Sequence, residues 1–410
     1  MSGRFSNVKR VALVAAVGSF ALVGASSVAS AGLVPAAPLN VSQILRGSSF
    51  THTFTPSNSS SPITESLSNI DDLTQLGDEL FVVFQNGVGP NGEASTSGNL
   101  DSTVVELTTS GQVLGQWDVA GRTDGVVADP QLRGLIATVN EDGNSSLFVI
   151  QPHAVPASQI THYAYDAGLT HGGGTDSLAL VDGQLLISAS NPGTPTKPAP
   201  NAALPAVYVA QLDVATKVAK LTPLFFDEDA ATVANLGSTY ATTTHLALTD
   251  PDSSTVVPES AARFGGTFEL TSQGDQQQIF FRHATTMHQS LSVLSLSQSV
   301  DDTAYATSRE GRLFSTDSTN NSVDVLSGHF STIDPYTVAT PCNANSAPSG
   351  CTTSNYLATI DPWTGMVTPV RVAGAAYTPK GALIFVGGNN RGKGHLRQGY
   401  QVQGQHALGR

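Results

Sequence analysis

Along most of the chain, apolar and β-branched residues come in short runs bounded by Gly, Asp, Asn, Ser and Pro. Runs of about 4–8 such residues between turn-formers predict strands rather than helices. The unit is clearest at residues 356–372, YLATIDPWTGMVTPVRV. An apolar run at 356–360 meets a tight turn through Asp361, Pro362, Trp363, Thr364 and Gly365, and a second run returns at 366–372. Proline presets φ at the start of such a turn, and glycine supplies the left-handed position that closes it. The unit recurs at 104–119, 207–224 and 312–328. Hairpins repeated at this spacing predict an all-β fold with radial repetition, a β-propeller.

Between the hairpins lie candidate inner strand pairs: 70–76 with 79–85, 123–128 with 134–140, 175–181 with 184–191, and 244–248 with 254–257. Three more follow, 290–298 with 302–307, 331–333 with 336–340, and 374–377 with 381–386. Most of the second runs are continuously apolar, as expected for strands buried on both faces between neighbouring blades. Seven inner pairs exceed the six complete outer hairpins downstream of them. The missing outer strands are assigned to residues 41–55, so that the N- and C-terminal strands close the ring and remove its open edge. The expectation is therefore seven four-stranded blades, with six as the alternative if the short pair at 331–340 is an insertion.

The ends of the chain change the picture. Arg4, Lys9 and Arg10 precede an apolar, small-residue stretch at 11–28, and Ala29-Ser30-Ala31 follows it. This is the order of a secretory signal peptide, read as residues 1–31. Gly18, Ser19, Gly24, Ser26 and Ser27 interrupt the stretch, which makes it a weak span for a bilayer core of ~30 Å. The propeller domain is then 32–388, in a secreted, extracellular protein with no membrane span in the mature chain. Residues 389–410 are polar and basic, with too little apolar surface to offset ordering, and read as a disordered tail.

Charge narrows the partners. The formal net charge of −13 argues against nucleic acid, whose binding requires Lys and Arg on phosphates. A small-molecule or glycan ligand and a monomeric state are expected instead. Cys342 and Cys351 are the only cysteines and share one loop. In a secreted chain they predict a disulfide. Closing so short a loop contributes up to about 3 kcal/mol on the chain-entropy model.

Long insertions at 86–102, 191–206, 258–266 and 342–351 are assigned to one rim, where binding sites are commonly built. The residues opening the inner pairs should face the channel at that rim. Asp71 and Asp72 open the first pair, Asp124 the second and Asp176 the third. His171, His245, His288 and His329 lie at or near the later junctions, with His283 close by. Imidazole suits transition metals, and carboxylates serve as bases or orient ligands. One expectation is thus a divalent metal ion held by His171, His245, His288 and His329, a transition metal rather than calcium, with Asp124 or Asp176 as general base. The other is a structural ring of polar residues that cap turns and tie blades together. Asp227-Glu228-Asp229 fits a solvated turn better than a calcium site. Gly172–Gly174 lacks the Lys and helix of a phosphate loop, and no Gly-x-Ser-x-Gly elbow occurs.

The Leu-x-x-Ile-Asp-Pro-x-Thr-Gly hairpin at 357–365, with its echoes, resembles the secreted bacterial β-propellers of the NHL-repeat, YVTN-type and gluconolactonase-like group. The resemblance covers roughly 69–388 and bears on fold more than activity. It implies, for the gluconolactonase-like members, a carboxylate- and Asn-ligated divalent metal, often calcium. The histidines here depart from that and look more like propeller lyases. The function expected is a metal-assisted lyase or hydrolase of a small ester, lactone or sugar-derived substrate. The alternative is a non-catalytic propeller that binds a glycan or protein.

Overall fold

The structure, a computed structural model, describes residues 37–169, 173–192, 203–237, 242–282, 289–343, 346–374 and 376–388. The expected leader at 1–31 and the tail at 389–410 lie outside the described residues. Among the described residues no helix is long and apolar enough to cross a membrane.

The chain forms an all-β propeller. Among the described residues six strands make its inner ring: Ile70–Leu76, Thr123–Asp129, Thr175–Val181, Pro251–Val256, Val300–Ala304 and Pro379–Gly387. Each packs beside the next and the last beside the first, which closes the ring. Blades one to three are each four consecutive antiparallel strands, as in blade one: Ile70–Leu76, Glu79–Phe84, Asp101–Thr108 and Val113–Ala120. Blade four runs Pro251–Val256, Phe268–Ser272, Gln277–Arg282 and Ser290–Ser295, and carries Ala230–Val233 and Thr243–His245 on its outer edge.

Blades five and six are interleaved. Val300–Ala304 pairs with Tyr336–Ala339, then Tyr356–Ile360 and Val367–Pro369 complete blade five. The hairpin between the first two of these strands, Glu310–Asp317 with Ser322–His329, belongs to blade six. Its inner strand is Pro379–Gly387, and its outer strand is the N-terminal Leu39–Arg46, paired antiparallel with Ser322–His329. Ring closure by the two chain ends is therefore present, although the closing strand starts at Leu39, and Thr51–Phe54 pairs instead with Ile63–Ser66.

Among the described residues the inner strands number six, against the seven inner pairs expected. Four expected inner runs lie elsewhere. Residues 244–248 contribute to the outer edge of blade four, and Ser290–Ser295 is that blade's fourth strand. Residues 331–333 form no strand, and Tyr336–Ala339 is a second strand of blade five. Short apolar runs look alike whether they sit inside or outside a blade, because periodicity reports burial and not position in the sheet.

The second strands are the most buried. Leu80, Phe81, Val82, Val83 and Phe84 are all at most 1% exposed. Phe81 and Val83 of blade one meet Val126, Leu135 and Ala137 of blade two in one apolar cluster. Full burial of each such side chain is worth about 1.5–3 kcal/mol, so the inter-blade seams hold the ring.

The five-residue turn is built as its residues dictate. Asp361 Oδ1 accepts from Trp363 N at 2.8 Å, Gly365 N donates to Asp361 O at 2.8 Å, and Gly365 has φ +74°. Asp213 accepts in the same way from Ala215 and Thr216, with Lys217 in the left-handed position. Cys342 and Cys351 form a disulfide, Cα to Cα 5.4 Å, in the loop joining the second and third strands of blade five. The insertion at 258–266 joins a first strand to a second, which puts it on the face opposite the disulfide loop rather than on the same rim.

Candidate active site in the central channel

Each inner strand begins with the same irregularity. Pairing with the second strand skips between Ile70 and Leu73, Thr123 and Val126, Thr175 and Leu178, Pro251 and Ser253, and Val300 and Thr303. In blade six it skips where Lys380 and Leu383 pair with Thr316 and Ser315. A β-bulge bends the strand and re-aims the extra side chain. The residues re-aimed in the six blades are Asp71, Asp124, Asp176, Asp252, Asp301 and Lys380, and all line one cavity of about 240 Å³. Asp72, Asp302, Glu141 and Arg122 line it too.

Several of these groups are held by partners. The Lys380 ammonium pairs with Asp71, which raises the pKa of the lysine. Gln85 Nε2 donates to Asp71 Oδ2 at 2.7 Å and to Asp124 Oδ1 at 3.1 Å. Arg122 reaches Asp124 Oδ1 at 3.2 Å and Glu141 Oε1 at 2.7 Å. Asp72 Oδ2 accepts from Val126 N at 2.6 Å, and Asp302 Oδ2 from Leu383 N at 3.0 Å, so these two carboxyls tie each inner strand to the next. Gly125 serves the same close approach: a Cβ there would lie 2.6 Å from Asp176 O.

Two carboxyls keep open valences. Asp124 Oδ2 is buried without a hydrogen-bond partner among the described residues, on a side chain 4% exposed. The Asp176 carboxyl has no hydrogen-bond partner among the described residues, and Asp176 is 8% exposed. Burial is the main cause that raises the pKa of both well above the usual range. Glu141 adds to it at Asp124, against Arg122, and Asp252 adds to it at Asp176. Asp72 is pushed up to about 8, again mainly by burial. A buried carboxyl with a raised pKa and a free oxygen can take and return a proton near neutral pH.

Asp124 and Asp176, the two expected bases, therefore lie in the channel together. The expected histidine ligands do not join them. His245 is exposed on the outer edge of blade four, its Nδ1 2.9 Å from Glu228 O. His329 is exposed at the end of the third strand of blade six, paired with Glu310 at 2.9 Å. Both were assigned to inner-strand entries that the fold does not contain. His171, His283 and His288 lie outside the described residues. Among the described residues no three His, Cys, Asp or Glu side chains gather in an arrangement able to hold a metal ion.

Asp252, Asp301 and Lys380 were missed as channel residues because their strands were misplaced. The usable signal was the pair of residues opening each strand, Ile-Asp, Thr-Asp, Thr-Asp, Pro-Asp, Val-Asp and Pro-Lys.

No family model matches the chain, and no curated protein does. Several solved structures are similar to the chain at low identity. One is a protein of unknown function from Bacteroides thetaiotaomicron, with TM-score 0.45 and 11% identity, covering 85% of this chain and 71% of the other. Another is the periplasmic gluconolactonase of Pseudomonas aeruginosa, with TM-score 0.38 and 15% identity, covering 82% and 94%. The WD40 domain of Neurospora crassa Pan2 has TM-score 0.32 and 12% identity, covering 67% and 68%.

Proposed function

We propose that this chain is a secreted hydrolase of small esters or lactones, sugar-derived ones among them, working at the carboxylate-lined end of the channel. The observation that carries the reading is the buried Asp124 carboxyl in the cavity lining, whose Oδ2 has no hydrogen-bond partner among the described residues. Asp124 accepts a proton from the attacking water. Gln85 and Arg122 hold its other oxygen, Oδ1, which leaves Oδ2 to take the proton. Arg122 keeps part of its charge exposed toward the same cavity and is placed to stabilise negative charge on an acyl oxygen. A lyase that relies on histidines loses support, because His245 and His329 face outward. A cavity of about 240 Å³ suits a compact substrate better than a polymer, although the long loop at 85–100 adds surface at the mouth.

The test is a panel of lactones and alkyl esters assayed from mildly acidic to mildly basic pH with the mature protein. Asp124→Asn should lower kcat by about 10²–10⁴-fold while far-UV circular dichroism stays unchanged, the range for loss of a general base. Wild-type protein that cleaves none of the panel would leave glycan or protein recognition by the rim as the better reading.

A further inference from the structure

The channel contains a second pair of carboxyls that the proposed base does not use. Asp252 and Asp301 occupy equivalent bulge positions in the neighbouring blades four and five and line the same cavity, their carboxyls within reach of a shared hydrogen bond. Two carboxyl groups can share a hydrogen bond only when one of them carries a proton. A chain of amides behind the pair sets which one. Asn343, next to the disulfide, donates to Gln273, and Gln273 Nε2 donates to Asp252 Oδ2 at 2.9 Å. That oxygen is thereby an acceptor, which leaves the other oxygen of Asp252 to hold the proton and donate it to Asp301.

We propose that Asp252 and Asp301 form a proton-sharing pair that supplies the acid of the channel, with Gln273 as its positioning residue. Burial, and then repulsion by Asp301, holds the Asp252 carboxyl well above the usual range, which keeps the proton in place at neutral pH. The use of the proton rests on the hydrolase reading; its presence does not. Going round the ring, Asp124, Asp176, Asp252 and Asp301 stand in successive blades. During hydrolysis, water gives a proton to Asp124 and its oxygen bonds to the acyl carbon. The bond from that carbon to the leaving oxygen breaks, and the leaving oxygen takes the proton of Asp252. The products are a carboxylic acid and an alcohol. Asp176, between the base and the pair and without a described partner, returns the proton from Asp124 to Asp252 through cavity water.

Two measurements on the full mature protein separate the parts of this proposal. The first is infrared difference spectroscopy in H₂O and D₂O at neutral pH, comparing wild type with Asp252→Asn and Asp301→Asn. Beside the absorption of Asp72 and the other protonated carboxyls, wild type should show one further protonated-carboxyl C=O component, sensitive to deuterium, that Asp252→Asn lacks and that titrates at lower pH in Asp301→Asn. Identical bands in all three proteins would overturn the pair, whatever the activity. The second is the leaving-group dependence of hydrolysis. Alkyl esters and lactones need an acid, whereas a nitrophenyl ester does not. Asp252→Asn should lower kcat about 10²-fold on alkyl substrates and under tenfold on the nitrophenyl ester, the selectivity expected for loss of a general acid. Gln273→Leu, which removes a donor that favours the ionised form of Asp252, should move the high-pH limb of the rate profile to higher pH. Equal losses on both substrate types would overturn the acid role while leaving the infrared result standing.

Discussion

Asn321 shows how much one side chain can carry. It sits in the left-handed region, φ +51°, at the turn between two strands of blade six. Its Nδ2 donates to Leu67 O at 2.7 Å, and its Oδ1 accepts from Ile70 N at 3.1 Å. Its own carbonyl accepts from Gly47 N at 2.8 Å. One residue thus joins blade six to the segment that enters blade one. Asn tolerates this backbone conformation and Ala does not. Asn321→Ala should cost about 3 kcal/mol, from two lost hydrogen bonds, two orphaned backbone groups and the strained φ. A fall in urea midpoint without change in slope would register it; an unchanged midpoint would show that the bridge contributes nothing.

At the scale of elements, the closing strand is the exposed point of the design. Leu39–Arg46 buries Leu39 and Leu45, 2% and 4% exposed, and covers the edge of Ser322–His329. It also pairs in parallel with Val372–Gly374. Removing residues 37–46 leaves that edge unpaired and the apolar seam beside Leu313, Leu326 and Leu383 open. Unfolding should remain one transition at a temperature lower by on the order of 10 °C, with aggregation through the bare edge. Unchanged melting of the deletion protein would show that blade six is held without its N-terminal strand. That the N-terminal segment supplies such a strand was legible in the shortage of outer strands. The interleaving of blades five and six was not, because no local residue marks the hairpin at 310–329 as belonging to a neighbour.

For the whole molecule, the acidic channel couples stability to pH. Burial lifts Asp72 to about 8 and Glu269, hydrogen-bonded to Tyr305 and Gln278, to about 7. Asp124, Asp176, Asp252 and Asp302 are raised as well, mainly by burial. Between the unfolded value of about 4 and these folded values, the native chain binds protons that the unfolded chain has released. The stabilisation is present in full below about pH 4 and is lost as pH rises through 7 to 8. Melting should therefore fall by on the order of 5 °C between pH 5.5 and 8.5, measured calorimetrically. Asp72→Asn, which keeps an oxygen for Val126 N–H, should flatten part of that slope. A melting temperature that rises over the same range would contradict the protonated channel.

Local chemistry alone determined the strands, the Asp-led turns, the disulfide and the placing of Asp124 and Asp176 at strand entries. Each depends on residues close in sequence: a pattern of period two, a turn that needs proline or glycine, a thiol pair in one loop. The number of blades, the outward position of His245 and His329, and the meeting of Asp252 with Asp301 were decided by tertiary structure. Those depend on which strand becomes innermost, a choice made by packing between blades far apart in the chain. The bulge that turns six side chains into one channel adds its effect only once the ring has closed.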